Sequence, residues 1–111
     1  MNAGEIAKLM DYSLLKASAT EREIAAFCRN ARKYGFHALC VNSCWVKFCK
    51  RMLGGSGVKV AATAGYPLGA MGTRAKAEEA RHAILDGADE IDAVMNVGWF
   101  LSGGKKTCSR T

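Results

Sequence analysis

The chain has 111 residues, half of them hydrophobic and about a quarter charged, with a formal net charge of +6 at pH 7. That is an ordinary globular composition, long enough for one modest core. No apolar run approaches the roughly 18 residues of a membrane span, and Met1-Asn2-Ala3-Gly4-Glu5 does not open a secretory leader, so a cytoplasmic protein without a membrane partner is expected.

The positive charge is scattered over Arg29, Arg32 and Lys33, then Lys47, Lys50 and Arg51, then Lys105, Lys106 and Arg110. No aromatic-interleaved basic motif joins these groups, so they read as solvated helix faces and not as a nucleic-acid surface. The five cysteines, Cys28, Cys40, Cys44, Cys49 and Cys108, form no Cys-x-x-Cys pair and have no histidine at zinc-site spacing. No metal site is expected. The cysteines read as small hydrophobes in a reducing compartment.

In chain order, Ala3 to Met10 carries Ile6, Leu9 and Met10 at helical spacing and predicts a short amphipathic helix. Asp11-Tyr12-Ser13-Leu14-Leu15-Lys16 reads as an extended or irregular connector. Thr20 and Glu23 fit a capping box that opens a helix burying Ile24, Phe27, Cys28 and Ala31, and Gly35 stops it. A strand is expected near 37–42. Ser43 is placed to cap a second helix with Val46, Cys49 and Leu53 on one stripe.

The cluster Gly54-Gly55-Ser56-Gly57 marks a turn, and a second strand is expected near 58–64, ending in Gly65-Tyr66-Pro67-Leu68-Gly69. From Thr73 a third helix runs to about Asp86, burying Ala77, Ala80 and Ile84, and Gly87 ends it. A third strand is expected near 90–96. Within it Asp92 and Val94 alternate with Ile91, Ala93 and Met95, so Asp92 faces away from the Ile/Met set. A carboxylate in such a strand must be paired, hydrogen-bonded or functional. A strand-end aspartate bonded to neighbouring backbone is the competing reading.

Strands alternating with helices across short glycine-marked loops predict an α/β fold with three adjacent parallel strands and helices on one side. Neither nucleotide-binding glycine fingerprint follows any strand. Polar residues collect at strand ends instead: Asn42, Tyr66 and Asn96, with Asp92 inside its strand. Active sites of parallel α/β folds gather at those carboxyl ends.

Four landmarks occur in order: Asp11-Tyr12-Ser13-Leu14-Leu15-Lys16, Cys40-Val41-Asn42, Gly65-Tyr66-Pro67-Leu68-Gly69 and Gly87-Ala88-Asp89-Glu90-Ile91-Asp92. With these the chain resembles the N-terminal half of deoxyribose-phosphate aldolase over roughly residues 4 to 103. The resemblance implies the first portion of a (β/α)8 TIM barrel and a class I aldolase. Such an enzyme would cleave 2-deoxy-D-ribose 5-phosphate, a small sugar phosphate, to glyceraldehyde 3-phosphate and acetaldehyde through a lysine Schiff base. No cofactor is implied, and a homo-oligomer is compatible with it.

The resemblance makes Asp92 the proton donor and acceptor and Asp11 its support, and it places Leu15, Cys40 and Asn42 in the substrate pocket. The family commonly has His-Thr where Tyr12-Ser13 stands, and proline in place of Ala17 and Ser43. Residues 1–103 are expected to form the half-barrel and residues 104–111 an irregular polar tail. The family's Schiff-base lysine and its second lysine lie in late-strand segments that have no counterpart in this sequence. Lys16 and Lys59 are the nearest substitutes, and solvated lysines are the expected reading of both. The reading that competes with an aldolase half is a non-catalytic half-barrel that self-associates.

Overall fold

The structure is a computed structural model and describes residues 1–103. The elements are α1 (Ala3–Ala7), β1 (Asp11–Leu14), α2 (Glu21–Tyr34), β2 (Ala38–Val41), α3 (Val46–Met52), β3 (Lys59–Ala64), α4 (Thr73–Leu85), β4 (Glu90–Ala93) and α5 (Val97–Leu101). The expected tail at 104–111, with Cys108, lies outside the described residues. Among the described residues no helix is long and apolar enough to cross a membrane.

Four parallel strands form one sheet in the order β1-β2-β3-β4. The three expected strands are adjacent and parallel, but the segment read as a connector adds a fourth. Residues 11–14 pair with β2 throughout, from Asp11 opposite Ala38 to Leu14 opposite Val41. Half of this short strand is polar, which hides its alternation. Its apolar half is well held, since the Tyr12 ring stacks on Phe27 at 4.6 Å and on Phe36 at 4.7 Å.

The helices cover one face. Ile24, Cys28 and Ala31 of α2, Val46 and Cys49 of α3, and Ala83 of α4 pack on Leu14, Leu39, Val41, Val60 and Ala62 in the main core. α2 begins and ends as its sequence predicts. The Thr20 hydroxyl accepts from Glu23 N–H at 3.2 Å while the Glu23 carboxylate accepts from Thr20 N–H at 3.3 Å, and Gly35 sits at φ +67° in the left-handed cap position.

Four local expectations are corrected. α1 ends at Ala7, three residues early, because His37 N–H draws on the carbonyls of Ala7 and Met10, leaving Ile6, Leu9 and Met10 exposed. Ser43 does not cap α3. A 3-10 turn over Ser43–Trp45 precedes that helix, and the Ser43 hydroxyl donates to Glu79 Oε2 at 2.7 Å. In α4 the inward face carries Lys76 and Ala83, with Ala77 and Ile84 outside. β4 stops at Ala93, after which Asn96 caps α5 by accepting from Trp99 N–H at 3.1 Å. Asn96 thus serves as a helix cap.

Candidate functional site on the open face of the sheet

Side chains alternate along each strand, so the paired registers fix which residues share the face away from the helices. That face carries Asp11 and Ser13 on β1, Ala38 and Cys40 on β2, Ala61 and Thr63 on β3, and Glu90 and Asp92 on β4. Its small apolar cluster is Ala38, Cys40 and Ala61 with Leu15 packed against it. Leu15 and Cys40, expected in the pocket, and Asp92, expected to move protons, thus meet on one surface.

Cys40 Sγ donates to Asp92 Oδ2 at 3.3 Å, spanning β3 between them. The bond is possible because β3 offers only the methyl of Ala61 opposite Cys40. Burial pushes the Cys40 thiol up to about 12, with the Asp92 hydrogen bond and the charges of Asp92 and Asp11 adding to it and a Ser13 hydrogen bond opposing. With its pKa raised that far, Cys40 is held as a neutral thiol at physiological pH. Asp92 is exposed, since β4 is an edge strand and its face lies open.

Asp11 begins its strand on the same surface. Its carboxyl is raised by burial first and then by the charge of Glu90, with His37 opposing and Asp92 adding to the rise. His37 Nε2 and Glu90 Oε2 lie 2.8 Å apart. Asp11, His37 and Glu90 bring one potential ligand atom each within 4.8 Å of one another, although His37 and Glu90 already satisfy each other. His37 and Glu90 drew no attention in the sequence, because nothing in their spacing links residues 53 positions apart.

Asn42 follows β2 and ties the site together. Its amide Nδ2 donates to the Leu15 carbonyl at 3.1 Å, and its Oδ1 accepts from Thr63 Oγ1 at 3.4 Å. Asn42 thus holds Leu15, just past the end of β1, against the apolar cluster. Tyr66 is exposed in the loop after β3 and reaches none of these groups by a hydrogen bond. Lys16 is exposed and paired with Glu23, and Lys59 is exposed at the start of β3.

A lysine missed in the sequence lies fully buried on α4. Lys76 Nζ donates to the Gly69 carbonyl at 3.0 Å and to the Val94 carbonyl at 2.8 Å. One turn on, Glu79 Oε1 accepts from Gly65 N–H at 2.8 Å while its other oxygen takes the Ser43 hydroxyl. The polar inner face of α4 therefore grips the chain just beyond the carboxyl ends of β2, β3 and β4. Lysine among alanines reads as solvated surface, and only the backbone carbonyls brought together by the fold show otherwise.

No family model matches the chain. It is 49% identical over 94 residues to deoxyribose-phosphate aldolase 1 of Bacillus licheniformis, covering 85% of this chain and 42% of that protein. It is 50% identical over 98 residues to the deoxyribose-phosphate aldolase of Coprothermobacter proteolyticus, covering 88% and 45% respectively. Among solved structures, a tetrameric deoxyribose phosphate aldolase of Aeropyrum pernix superimposes with a TM-score of 0.86 at 28% identity, over 98% of this chain and 45% of that one. The chain thus spans less than half the length of the curated relatives it matches. In sequence and in its parallel strand–helix architecture, the chain corresponds to the N-terminal half of the deoxyribose-phosphate aldolases.

Proposed function

We propose that these residues form half of the active site of a class I aldolase acting on 2-deoxy-D-ribose 5-phosphate, the other half being carried by the C-terminal part of the relatives' fold. The observation that carries the reading is the Asp92 carboxylate on the open face. It is held by the Cys40 thiol at 3.3 Å and faces a surface with apolar walls. The thiol donates to one oxygen of that carboxylate. Asp11 stands beside it with its carboxyl raised.

In the proposed reaction a lysine amine adds to the substrate aldehyde, and loss of water gives an iminium ion. The bond between the second and third carbons then breaks as the third-carbon hydroxyl loses its proton. Glyceraldehyde 3-phosphate leaves, and the remaining enamine is protonated and hydrolysed to acetaldehyde. Asp92 would move protons in these steps, with Asp11 supporting it and water kept back by Leu15 and Cys40. Asn42 would hold the Leu15 wall in place. The reaction needs no cofactor and would run in the cytoplasm.

The lysine is expected to come from outside this chain. A Schiff-base amine must be partly unprotonated at neutral pH, which burial or a neighbouring cation achieves. Lys16 and Lys59 are exposed, and Lys76 is committed to two carbonyls. Borohydride treatment with acetaldehyde or deoxyribose 5-phosphate is therefore expected to leave the 111-residue chain unlabelled. Fused to the C-terminal half of the Bacillus licheniformis relative, the chain should trap and turn over. In that fusion Asp92→Asn should lower turnover by about 10²–10⁴-fold while trapping persists. Labelling of the chain alone at a single lysine would overturn the division of the site.

A second reading, a non-catalytic half-barrel that self-associates, is favoured by one feature. Ile84, Leu85, Trp99, Phe100 and Leu101 place exposed apolar side chains on α4 and α5 near the β4 edge of the sheet. A fusion that folds, yet neither traps nor turns over, would favour it over the aldolase reading.

A further inference from the structure

Lys76 has no carboxylate partner among the described residues, yet none of its surface is exposed. An ammonium in that position is costly unless its hydrogen bonds are made, and here two charge-assisted bonds to backbone carbonyls make them. The two acceptors belong to different parts of the chain. Gly69 lies in the loop after β3, and Val94 is the residue directly after β4. The stem of the side chain is enclosed too, since a β-carbon at Gly65 would come within 3.0 Å of Lys76 Cε.

What this clasp secures is the height of β4. The last ladder contact of the strand is Val94 N–H to the Ala64 carbonyl at 2.9 Å, and Lys76 takes the carbonyl of the same residue. Asp92 is two residues back on that strand, and its carboxylate must cross the level of β3 to meet Cys40. A small shift of an edge strand along its neighbour would separate the two groups.

We propose that Lys76 is a positioning residue of the pocket: by fastening the Val94 carbonyl to the Gly69 carbonyl, it holds β4 where the Asp92 carboxylate meets the Cys40 thiol. The inference rests on the aldolase reading only for the name of the pocket, because the contact it explains is measurable without turnover.

The cysteines supply the assay. Cys40 reports the alignment of β2 with β4, Cys28 and Cys49 report the integrity of the helix-side core, and Cys44 is exposed and sets the reference rate. The full 111-residue chain is alkylated with iodoacetamide across a pH series, and each cysteine is followed by peptide mapping. Lys76→Met keeps the volume and removes the donors. It is expected to raise Cys40 labelling at pH 8 about tenfold, the change in thiolate that one pH unit makes, with the Cys28 and Cys49 rates unchanged. An unchanged Cys40 rate in a folded Lys76→Met chain overturns the proposal. A parallel rise at Cys28 and Cys49 also overturns it, because that pattern reads general loosening. If Lys76→Met does not fold, Lys76→Gln, which keeps an amide donor on a shorter stem, is judged by the same outcomes. Failure of the aldolase reading shows separately, as absent trapping in the fused protein.

Discussion

Replacing Gly69 by alanine tests how tightly the loop after β3 is pressed on β4. Gly69 has φ +65°, and a β-carbon there would lie 2.3 Å from the Met95 carbonyl oxygen and 2.8 Å from that of Val94. Both are backbone atoms, so the loop must lift. The left-handed conformation alone costs about 1–2 kcal/mol for a residue with a side chain. Lifting the loop also removes the Gly69 carbonyl from Lys76, and losing a hydrogen bond to a buried charge costs about 1.5–3 kcal/mol. The expected total is about 3–5 kcal/mol, a large share of the stability of a small domain. Gly55→Ala is the matched control, because Gly55 has φ +78° with open space around it and should cost only the conformational part. The two variants are melted by circular dichroism at equal protein concentration. Since about 1 kcal/mol moves the Tm of a domain this size by roughly 4–8 °C, the extra loss of about 1.5–3 kcal/mol should make Gly69→Ala melt roughly 6–24 °C below Gly55→Ala. Melting points within about 3 °C of each other would refute the close packing of this loop on β4.

Asp92→Asn should bring the Cys40 thiol down from about 12 and raise its alkylation at pH 8 by about tenfold or more; no change would mean that burial alone sets it. Ala61→Val places two methyl groups opposite Cys40 at a fully buried position, so it should separate Asp92 from the thiol and raise Cys40 labelling while costing about 1–3 kcal/mol of stability. Burial pulls the Asp89 carboxyl upward, but the Lys50 ammonium at 2.8 Å and Val60 N–H at 2.9 Å outweigh it and hold its pKa below 3.8. Its stabilising effect is therefore present above pH 3.8 and lost as pH falls through the lower folded value; because the Lys50–Asp89 pair is solvent-exposed and screened, Asp89→Asn should cost only about 0.2–1 kcal/mol at pH 7 in denaturant melts, with the gap closing below about pH 4. Sedimentation velocity should find the isolated chain self-associated through its exposed apolar helices and sheet edges, and a monodisperse monomer with a sharp melt would contradict that.

The helix-side half of the fold was legible because its signals are local. The Thr20–Glu23 box, the left-handed Gly35 and the unbroken run Ala38-Leu39-Cys40-Val41 each act within a few residues. β1 was not legible as a strand, because four residues with two polar ones carry too little periodicity; its partner strand and the two rings against Tyr12 hold it. The alternation of Asp92 with Ile91 gave its direction, and Ile91 does pack on the helix-side core. The thiol that meets Asp92 could not be read from spacing, since Cys40 is 52 residues away and reaches it only because Ala61 is small. Lys76 is invisible in the sequence for a related reason: its acceptors are main-chain atoms, which carry no letter there.

The separation of the two faces of the sheet bears on how freely each can change. Almost all of the apolar burial lies between the strands and α2, α3 and α4, whereas the opposite face holds only a four-residue apolar cluster among polar groups. Substitutions at Ser13 or Leu15, which are not fully buried, would therefore alter the contour and polarity of that face while leaving the scaffold's cohesion nearly intact, whereas Ala61 and Thr63 are buried within it. Such a surface can change its chemistry through single replacements with little cost to the core, and a library confined to Ser13 and Leu15 would start from a folded chain.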